Sequence, residues 1–535
     1  MPATKDRYDV VIVGYGPTGA IAANLLGRDG FSVLVVEREA DIYDKPRAIT
    51  FDHEIMRVFQ GAGVAEAVEK ETAPYRPSRY LGAEGQVIRK MDPAPAPYPL
   101  YWLPVYLFVQ PRLEAALRAG AEARETVDVL TCHEATNVSQ TAEVATVTIN
   151  DLDGGDSFEI EAAYVFACDG ASSPIRTALG IGHEDLAFDE RWIVIDVLAN
   201  DTDDLPQTHI QFCEPERPST YVIGVDNHRR WEMMLLPGED PAEINNEERI
   251  LELLSRWGPK EKFNVWRSAV YRFHALVAKE WRKGRVFLLG DAAHQTPPFM
   301  GQGMCQGIRD AENLVWRVRQ VERHGADPAL LDSYQAERHP HVRALTAFTK
   351  ELGKIICERD PKKAKARDEK MVEQLESGRM VTMRHKLIPP LTSGLLDLDA
   401  DGVAAAPAGE LFPQPMVRTE TAEELPMNDA LGPDFWLVSP DPDVFRQIPD
   451  NIAEQWRSFG GEFVLMAGET ENIPGIRRLT ELNGVLSTYF EDNNARTMIV
   501  RPDRYTYSAA ATAEQALTQM ENLLSRLGPA ETAKP

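Results

Sequence analysis

The chain has 535 residues, of which 43% are hydrophobic and 26% charged, and its formal net charge at pH 7 is −26. This length exceeds what one hydrophobic core usually serves, so we expect two or three domains. The negative charge argues against a nucleic acid or an anionic membrane surface as the main partner. The sequence shows no apolar run near the ~18 residues of a membrane span, no signal peptide and no metal-binding spacing among its five cysteines. We therefore expect a cytoplasmic protein with reduced thiols.

A glycine-rich motif near the start of the chain lies between two apolar runs that predict buried strands. Gly14, Gly16 and Gly19 form the spacing GxGxxG, a helical pattern follows, and the second apolar run, residues 33–36, ends on Glu37. Gly14 permits a tight turn, Gly16 lets the backbone approach a pyrophosphate, and Gly19 lets the helix pack on the strand. The helix start offers free N–H groups to phosphates, and Glu37 can accept hydrogen bonds from a ribose. This order predicts a dinucleotide site rather than a glycine turn without a ligand.

Two further motifs follow strand-like runs later in the chain. They are DGASSPIR at residues 169–176 and DAAHQTPPFMGQGMC, which begins at Asp291. Between them, residues 190–236 alternate apolar and polar positions and predict an antiparallel sheet that interrupts the first domain. Pro, Gly and Ala concentrate near residues 386–415, which predicts a boundary before a smaller α/β region. That region ends in a predicted amphipathic helix over about residues 513–527.

Together the three motifs resemble those of the single-component FAD-dependent aromatic hydroxylases, the class typified by p-hydroxybenzoate and phenol hydroxylases. The resemblance covers roughly residues 8–350, and the strings PPFMGQGMCQGIRDAENLVWR and RRWEMMLLPGE are similar to the 3-(3-hydroxyphenyl)propionate hydroxylase subgroup. It implies an α/β fold with a Rossmann-like FAD-binding domain, an inserted antiparallel-sheet substrate domain and a C-terminal thioredoxin-like domain. The implied boundaries are 1–75, 105–185 and 270–385 for the FAD-binding domain, 76–104 and 186–269 for the substrate domain, and 410–535 for the C-terminal domain.

The C-terminal region resembles the thioredoxin-like domain of the phenol hydroxylase branch through the string ARTMIVRPDRYTYSAAAT. Residues 410–535 contain no cysteine, so this region cannot exchange disulfides. We expect it to have a structural or dimer-forming role, and we expect the protein to be a homodimer.

The resemblance also implies which residues hold FAD. The first motif and Glu37 would bind the ADP half, and Asp291 would bind ribose or ribityl hydroxyls on the flavin side. Arg47 and Gln110 match positions that contact the phosphate and ribityl regions. Asp169 and Arg176 match a motif associated with both FAD and NAD(P)H, and a structural ion pair between these two is an equally weighted alternative.

The segment Gly301, Gln302, Gly303, Met304 precedes a predicted helix. If it abuts the isoalloxazine, its N–H groups and the helix dipole would stabilise the negative charge of reduced flavin. Pro297 and Pro298 would form a rigid wall beside the flavin and the substrate.

The implied reaction uses NAD(P)H and dioxygen to hydroxylate an aromatic ring. Reduced FAD would form a C4a-hydroperoxide, whose distal oxygen is transferred ortho or para to a phenol hydroxyl. The protein must then keep the site dry, orient the substrate and accept a hydrogen bond from the phenol. His53 and Tyr221 are the candidates for the phenol contact. Arg230 is available either to a substrate carboxylate or to Glu232, and His294 is expected to make a structural hydrogen bond.

Several alternatives remain open at this point. Further candidate pocket residues are His209, Gln211 and Tyr271, for which ordinary sheet packing is the alternative. The substrate is either a small phenolic compound or a larger polyketide or antibiotic-like aromatic. A flavin reductase that hydroxylates nothing and an FAD-binding regulatory protein are the competing classes. The sequence does not distinguish NADH from NADPH, because this family has no separate nucleotide domain for the reductant.

Overall fold

The computed structural model describes residues 5–466 and 473–528. Strands in these ranges form four sheets, of eight, nine, three and seven strands. Helices pack against them, so the fold is of the predicted mixed α/β type. None of the helices in these ranges is long and apolar enough to cross a membrane.

The eight-stranded sheet carries the first motif. Its central strands pair in parallel and have near-continuous apolar sequences that are buried on both faces. Its strands in order are Arg282–Lys283, Val286–Leu288, Ser157–Ala167, Arg7–Val13, Val33–Val36 and Val127–Leu130. Ala145–Asp151 pairs in antiparallel fashion with Ser157–Ala167, and His133–Gln140 pairs in the same way with Ala145–Asp151.

Helices of this part follow the predicted pattern of apolar positions. The helix after the first motif, Pro17–Arg28, begins with proline in its first turn and ends before Gly30, whose φ is +74°. It packs between two other helices, Gln110–Glu122 and Gly303–His324. The remaining helices of this part are His53–Ala62, Ala65–Glu69, Pro174–Ala178, Ser333–Ile356 and Pro361–Glu376.

The nine-stranded sheet corresponds to the predicted inserted sheet, but it is mixed rather than wholly antiparallel. In order it contains His294–Gln295, Phe263–Ala278, His183–Ala199, His228–Met234, Ser219–Ile223, His209–Phe212, Ser78–Leu81, Val87–Asp92 and Val381–Met383. Two of its pairings are parallel, because Ser78–Leu81 and Val381–Met383 join it from distant parts of the chain. Two helices, Pro241–Ile244 and Glu247–Leu254, bury apolar residues against one face. A small three-stranded sheet of Thr50–Asp52, Val105–Phe108 and Thr72–Pro74 completes this half of the molecule.

The C-terminal region contains a seven-stranded sheet. In order it contains Glu424–Pro426, Met416–Thr419, Arg477–Glu481, Glu462–Met466, Trp436–Ser439, Thr497–Val500 and Thr506–Ala510. Apolar runs at residues 435–438, 463–466, 498–500 and 505–508 predict the last four of these strands to within two residues at each end, and the final helix, Ala513–Leu527, has the predicted bounds. The other three strands were not predicted, because their sequences are short and polar. Four shorter helices complete the region: Met427–Ala430, Pro442–Arg446, Asp450–Ser458 and Val485–Asp492.

A buried network of charges joins the C-terminal region to helices of residues 5–383, which are called the first half below. Glu337 is fully buried and accepts hydrogen bonds from both terminal nitrogens of Arg501, at 2.9 and 2.7 Å. Arg317 Nη2 lies 2.6 Å from the same carboxylate. Nearby, the Tyr505 hydroxyl donates to Glu54 Oε1 at 2.7 Å. These contacts connect the two parts of the chain through charged groups that are buried from solvent.

Similar contacts continue along the same boundary. Arg57 donates to Asn428 Oδ1 at 2.8 Å, and Arg319 donates to Asp434 Oδ1 at 3.0 Å. The Trp316 indole donates to Asp503 at 3.0 Å. In each pair, the donor belongs to the first half and its acceptor to the C-terminal region.

Candidate functional site

The three motifs meet in space. A side chain added at Gly14 would place its first carbon 2.4 Å from the carbonyl oxygen of Cys168, directly before Asp169. Arg176, at the end of the second motif, donates from Nη1 to the carbonyl of Ala292 in the third motif, at 3.0 Å. The second motif therefore contacts both the first and the third.

Glycines of the motifs serve two different purposes. A Cβ atom at Gly19 would lie 2.0 Å from the carbonyl oxygen of Gly14, so glycine is required there for helix and strand to touch. At Gly16 and at Gly303, a Cβ atom would meet nothing within 4 Å. These two residues stand at the starts of Pro17–Arg28 and Gly303–His324. Open space therefore lies beside two helix starts, and the N–H groups that a helix leaves free at its start are available to a ligand there.

Glu37 follows the second strand of the motif and is fixed there by backbone donors. Its carboxylate accepts hydrogen bonds from the N–H of Tyr15 at 2.7 Å and from the N–H of Glu39 at 2.9 Å. The carboxylate therefore lies beside the glycine turn, in the arrangement expected of a ribose acceptor.

Asp291 lies in the short turn Gly290–Ala292, which follows the strand Val286–Leu288. Its side chain is exposed to solvent, yet the surrounding protein raises its pKa through burial, against the opposing effects of His294 and Arg47. The carboxylate is therefore accessible to solvent although protein atoms surround it. Among the described residues it accepts no hydrogen bond from the protein, so its carboxylate is free to bind hydroxyls of a ligand.

The loop that carries Arg47 is held by Gln110. The Gln110 side chain accepts from the N–H of Ala48 at 2.6 Å and donates to Glu114 Oε1 at 2.7 Å. Arg47 is half exposed and lies 3.8 Å from the same Glu114. Arg47 is therefore available to an anionic ligand, whereas Gln110 positions the loop.

The alternative of an ion pair between Asp169 and Arg176 is not what the structure shows. Asp169 accepts from the N–H of Ile175 at 3.1 Å, and burial raises its pKa. Arg176 donates to the carbonyls of Ala171 and Ala292. Both residues therefore stabilise the turns that bring the motifs together.

The nine-stranded sheet has an outer face, covered by the helix Glu247–Leu254, and an inner face turned toward the motifs. Tyr221 lies on the outer face, since it pairs with Ile210 and Trp231, which belong to the apolar cluster under that helix. It is fully buried, and burial raises its pKa to about 12. The structure therefore does not bring Tyr221 to the face where a substrate would contact the motifs.

The inner face carries His209, Gln211, Arg230 and Tyr271. Arg230 donates from Nε to Asp196 Oδ1 at 2.7 Å and from Nη1 to the carbonyl of Arg47 at 2.7 Å. Burial alone would raise the pKa of Asp196, but Arg230 and His228 lower it to about 2. Because its nitrogens bind these acceptors, Arg230 is not poised to bind a substrate carboxylate.

An aromatic cluster connects the inner face to the third motif. Phe299, in the short turn Pro298–Met300, packs edge-on against Trp192 and Phe273 with ring centroids 5.6 and 6.2 Å apart. The preceding Pro297 is buried. This turn therefore forms an apolar wall next to the glycine segment that follows it.

His53 and His294 differ in their surroundings. His53 is buried at the start of the helix His53–Ala62, next to Asp52, which accepts from the Gln302 amide at 3.1 Å. It thus remains close to the glycine segment. His294 is fully buried and its Nε2 lies 2.7 Å from Asp310 Oδ2, in agreement with the predicted structural role.

Sequence reasoning missed the groups that hold the glycine segment in place. Arg309 donates to Asp52 Oδ2 at 2.7 Å and to the side-chain oxygen of Gln302 at 2.9 Å. Nothing in the sequence indicates the part of Asp52, because it lies 250 positions from Gln302 and 257 from Arg309. In the described ranges, no group of three or more His, Cys, Asp or Glu side chains could hold a metal ion.

Comparisons with known proteins agree with this geometry. Residues 7–349 match the family model of the FAD binding domain, and residues 409–526 match that of the HcaD C-terminal domain. A 3-(3-hydroxy-phenyl)propionate/3-hydroxycinnamic acid hydroxylase of Mycolicibacterium smegmatis is 32% identical, over 93% of this chain and 89% of the relative. A protein of Rhodococcus jostii named "Probable NADH-specific resorcinol 4-hydroxylase" is 32% identical, over 100% of this chain and 98% of the relative.

Among solved structures, the ternary complex of aklavinone-11 hydroxylase with FAD and aklavinone superposes with a TM-score of 0.77 at 21% identity. It covers 98% of this chain and 100% of that one, and at this identity the likeness shows the fold. The family model covers more than half of the chain, and the relatives span nearly all of it. The chain therefore belongs to the FAD-dependent aromatic hydroxylases, and it is a flavoprotein monooxygenase.

Proposed function

We propose that this enzyme hydroxylates a small phenolic compound, with 3-(3-hydroxyphenyl)propionate as the first candidate. The observation that carries the proposal is the meeting of the three motifs beneath the inner face of the nine-stranded sheet. The relative from M. smegmatis is named for this type of substrate, and the one from R. jostii for resorcinol, a smaller phenol.

The residues present fit FAD. We infer that the open helix start at Gly16 receives the pyrophosphate and that Glu37 receives a ribose. Asp291, whose exposed carboxylate accepts no hydrogen bond from the described residues, would bind hydroxyls near the flavin, and the helix start at Gly303 would lie against the ring. When bound, FAD supplies the reduction by NADH or NADPH and the activation of dioxygen.

The chain itself must exclude water and orient the phenol. The wall formed by Trp192, Phe273 and Phe299 is suited to excluding water beside an aromatic ring. Gln302 is held by Asp52 and Arg309, and this fixes the backbone of the glycine segment. Fixed backbone N–H groups stabilise developing negative charge without having to reorganise.

The proposal also includes the domain organisation, the assembly, the cellular location and two residues beside the substrate. We propose the domain boundaries given above, a thioredoxin-like C-terminal domain, a homodimer and a cytoplasmic location. Pro298 is proposed as part of the substrate wall and His53 as a residue near the ring.

The test of function is a coupled assay on the purified yellow protein. NADH and NADPH oxidation would be followed with a panel of phenols, 3-(3-hydroxyphenyl)propionate and resorcinol first, while hydroxylated product and hydrogen peroxide are quantified. We expect stimulation by a small phenol with product equal to the NAD(P)H consumed. Stimulation that yields only peroxide would identify the phenol as an effector. A response only to large polycyclic aromatics, or to none, would contradict the proposal.

Asp291→Ala is expected to weaken FAD binding about 10- to 100-fold, since a charged hydrogen-bond acceptor is typically worth ~1.5–3 kcal/mol. The stability of the apoprotein should not change, because the side chain is exposed and accepts no hydrogen bond from the described residues. FAD affinity by flavin fluorescence and thermal unfolding of the apoprotein measure the two effects. An unchanged FAD affinity would show that Asp291 does not contact the cofactor.

A further inference from the structure

The inner face of the nine-stranded sheet is divided along its strands into a charged part and an aromatic part. In the charged part, Arg230 and Arg267 both contact Asp196 Oδ2, at 3.2 and 3.4 Å. Both also donate to the carbonyl oxygen of Pro46, at 3.3 and 2.9 Å. This part of the face therefore rests on the loop that carries Arg47.

The aromatic part of the face rests on the third motif instead. Trp192 stacks on Phe273 with ring centroids 6.1 Å apart and meets Phe299 edge-on. Met234 pairs with Trp192 across the strands and belongs to the same apolar cluster. The two parts of the face thus contact the two segments, around Arg47 and around Phe299, that we assign to the flavin.

Glu232 lies between these two parts. It pairs with Val194 on one neighbouring strand and with Thr220 on the other. Because side chains alternate along a strand, Glu232 shares the inner face with Arg230 and Met234, its neighbours two residues away. It therefore lies on the inner face between the part that contacts the Arg47 loop and the part that contacts the third motif.

None of the described residues donates a hydrogen bond to this carboxylate, and Glu232 is only 9% exposed. Its nearest cation is Arg230, at 3.8 Å, whose nitrogens already bind Asp196 and two backbone carbonyls. The adjacent Thr220 donates instead to Gln211, at 2.6 Å. Buried carboxylates are normally hydrogen-bonded, so a ligand is the expected donor.

Burial raises the pKa of Glu232, and Arg230 opposes this increase. A more basic carboxylate is a stronger hydrogen-bond acceptor. A phenol hydroxyl donates one hydrogen bond, and its ring becomes more electron-rich at the ortho and para carbons when that hydrogen bond is accepted by an anion. The aromatic part of the face lies on one side of Glu232, where it can pack against such a ring.

We propose that Glu232 is a catalytic residue that accepts the hydrogen bond of the substrate's phenol hydroxyl. This inference rests on the proposed function, because it requires a phenolic substrate in this space. It replaces Tyr221, which lies on the other face of the sheet, as the phenol contact.

The test compares a phenol with its methyl ether, which cannot donate. Oxidised holoenzyme would be titrated with 3-(3-hydroxyphenyl)propionate and with 3-(3-methoxyphenyl)propionate, and binding would be read from the flavin absorbance. We expect Glu232→Gln to weaken phenol binding about tenfold, since a neutral amide replaces a charged acceptor. Binding of the ether should change less than about twofold by the same reasoning.

Two variants serve as controls. Glu322→Gln removes a charge of the same kind far from this face, where Glu322 accepts from the Tyr164 hydroxyl, and should leave both affinities unchanged. Glu232→Asp keeps the carboxylate and should retain a preference for phenol over ether that Glu232→Gln has lost. If Glu232→Gln does not fold, Glu232→Asp can be titrated with the phenol and the ether in its place.

The outcomes separate this inference from the proposed function. If the wild-type enzyme hydroxylates a small phenol but Glu232→Gln keeps the full preference for phenol over ether, only the inference is overturned. Equal weakening of phenol and ether by Glu232→Gln would also overturn it, because a purely structural role predicts that result. If the wild-type enzyme binds and hydroxylates no small phenol, the proposed function fails and the inference falls with it.

Discussion

Gly16→Ala is expected to leave the fold intact and to weaken FAD binding at least tenfold, whereas Gly19→Ala is expected to destabilise the protein itself. A methyl group at Gly16 would occupy open space at the helix start, where the pyrophosphate is proposed to bind. A methyl group at Gly19 would lie 2.0 Å from the backbone of Gly14. Separation of that helix and strand should cost about 3 kcal/mol or more.

The two effects are distinguished by measuring thermal unfolding of the apoprotein and the dissociation constant of FAD for each variant. Gly182→Ala is the matched control, because Gly182 is also surrounded by open space but lies outside the three motifs. It should change neither quantity. A folded Gly16→Ala variant that binds FAD as tightly as the wild type would contradict the proposed position of the pyrophosphate.

Glu337→Gln is expected to lower the free energy of unfolding by about 3–5 kcal/mol, because it removes the buried carboxylate that pairs with Arg317 and leaves Arg501 with Asp503 alone. Glu337 is bound by Arg317 and Arg501 and also accepts from the N–H of Leu395 at 2.8 Å. Urea unfolding at pH 7 measures the loss. The exposed pair of Glu184 and Arg343 is the control, and Glu184→Gln should cost less than about 1 kcal/mol.

The same glutamate should make stability depend on pH. Burial alone would raise the pKa of Glu337, but the two arginines lower it well below its usual range. A carboxylate whose pKa is lowered by folding stabilises the protein at pH values above the pKa of glutamate in the unfolded chain, about 4.3. This stabilisation is lost progressively as the pH falls from that value through the pKa of the folded state. The difference between wild type and Glu337→Gln should therefore narrow in urea unfolding at pH 3. An equal difference at both pH values would show that the ion pairs do not cause it.

The strands and the helix of the first motif could be predicted from the sequence because their apolar patterns lie within one short segment of the chain. The strand Val33–Val36 and the role of Gly19 follow from an apolar run and from a glycine whose neighbour in space, Gly14, is also close in the chain. The helix Ala513–Leu527 has the predicted bounds for the same reason, since its apolar stripe repeats along one segment.

The substrate side of the site could not be predicted in the same way. Alternation along a strand divides Tyr221 and Glu232 between two faces, but it does not show which face a helix will cover. The structure shows that the helix Glu247–Leu254 packs on the sheet face that carries Tyr221. Arg309 and Asp52 are a second example, since a contact between distant residues leaves no periodic signal.

The charged boundary between the two halves has a consequence for how the chain folds during synthesis. Arg57, Trp316 and Arg319 leave the ribosome well before Asn428, Asp503 and Asp434, to which they donate. A newly made first half therefore carries charged and polar groups that cannot yet be buried with their partners, at an elongation rate of about 5–20 residues per second. The N-terminal half is thus expected to reach its native packing only after the C-terminal region has emerged, and release of a shortened chain would leave this surface open to chaperones and proteases.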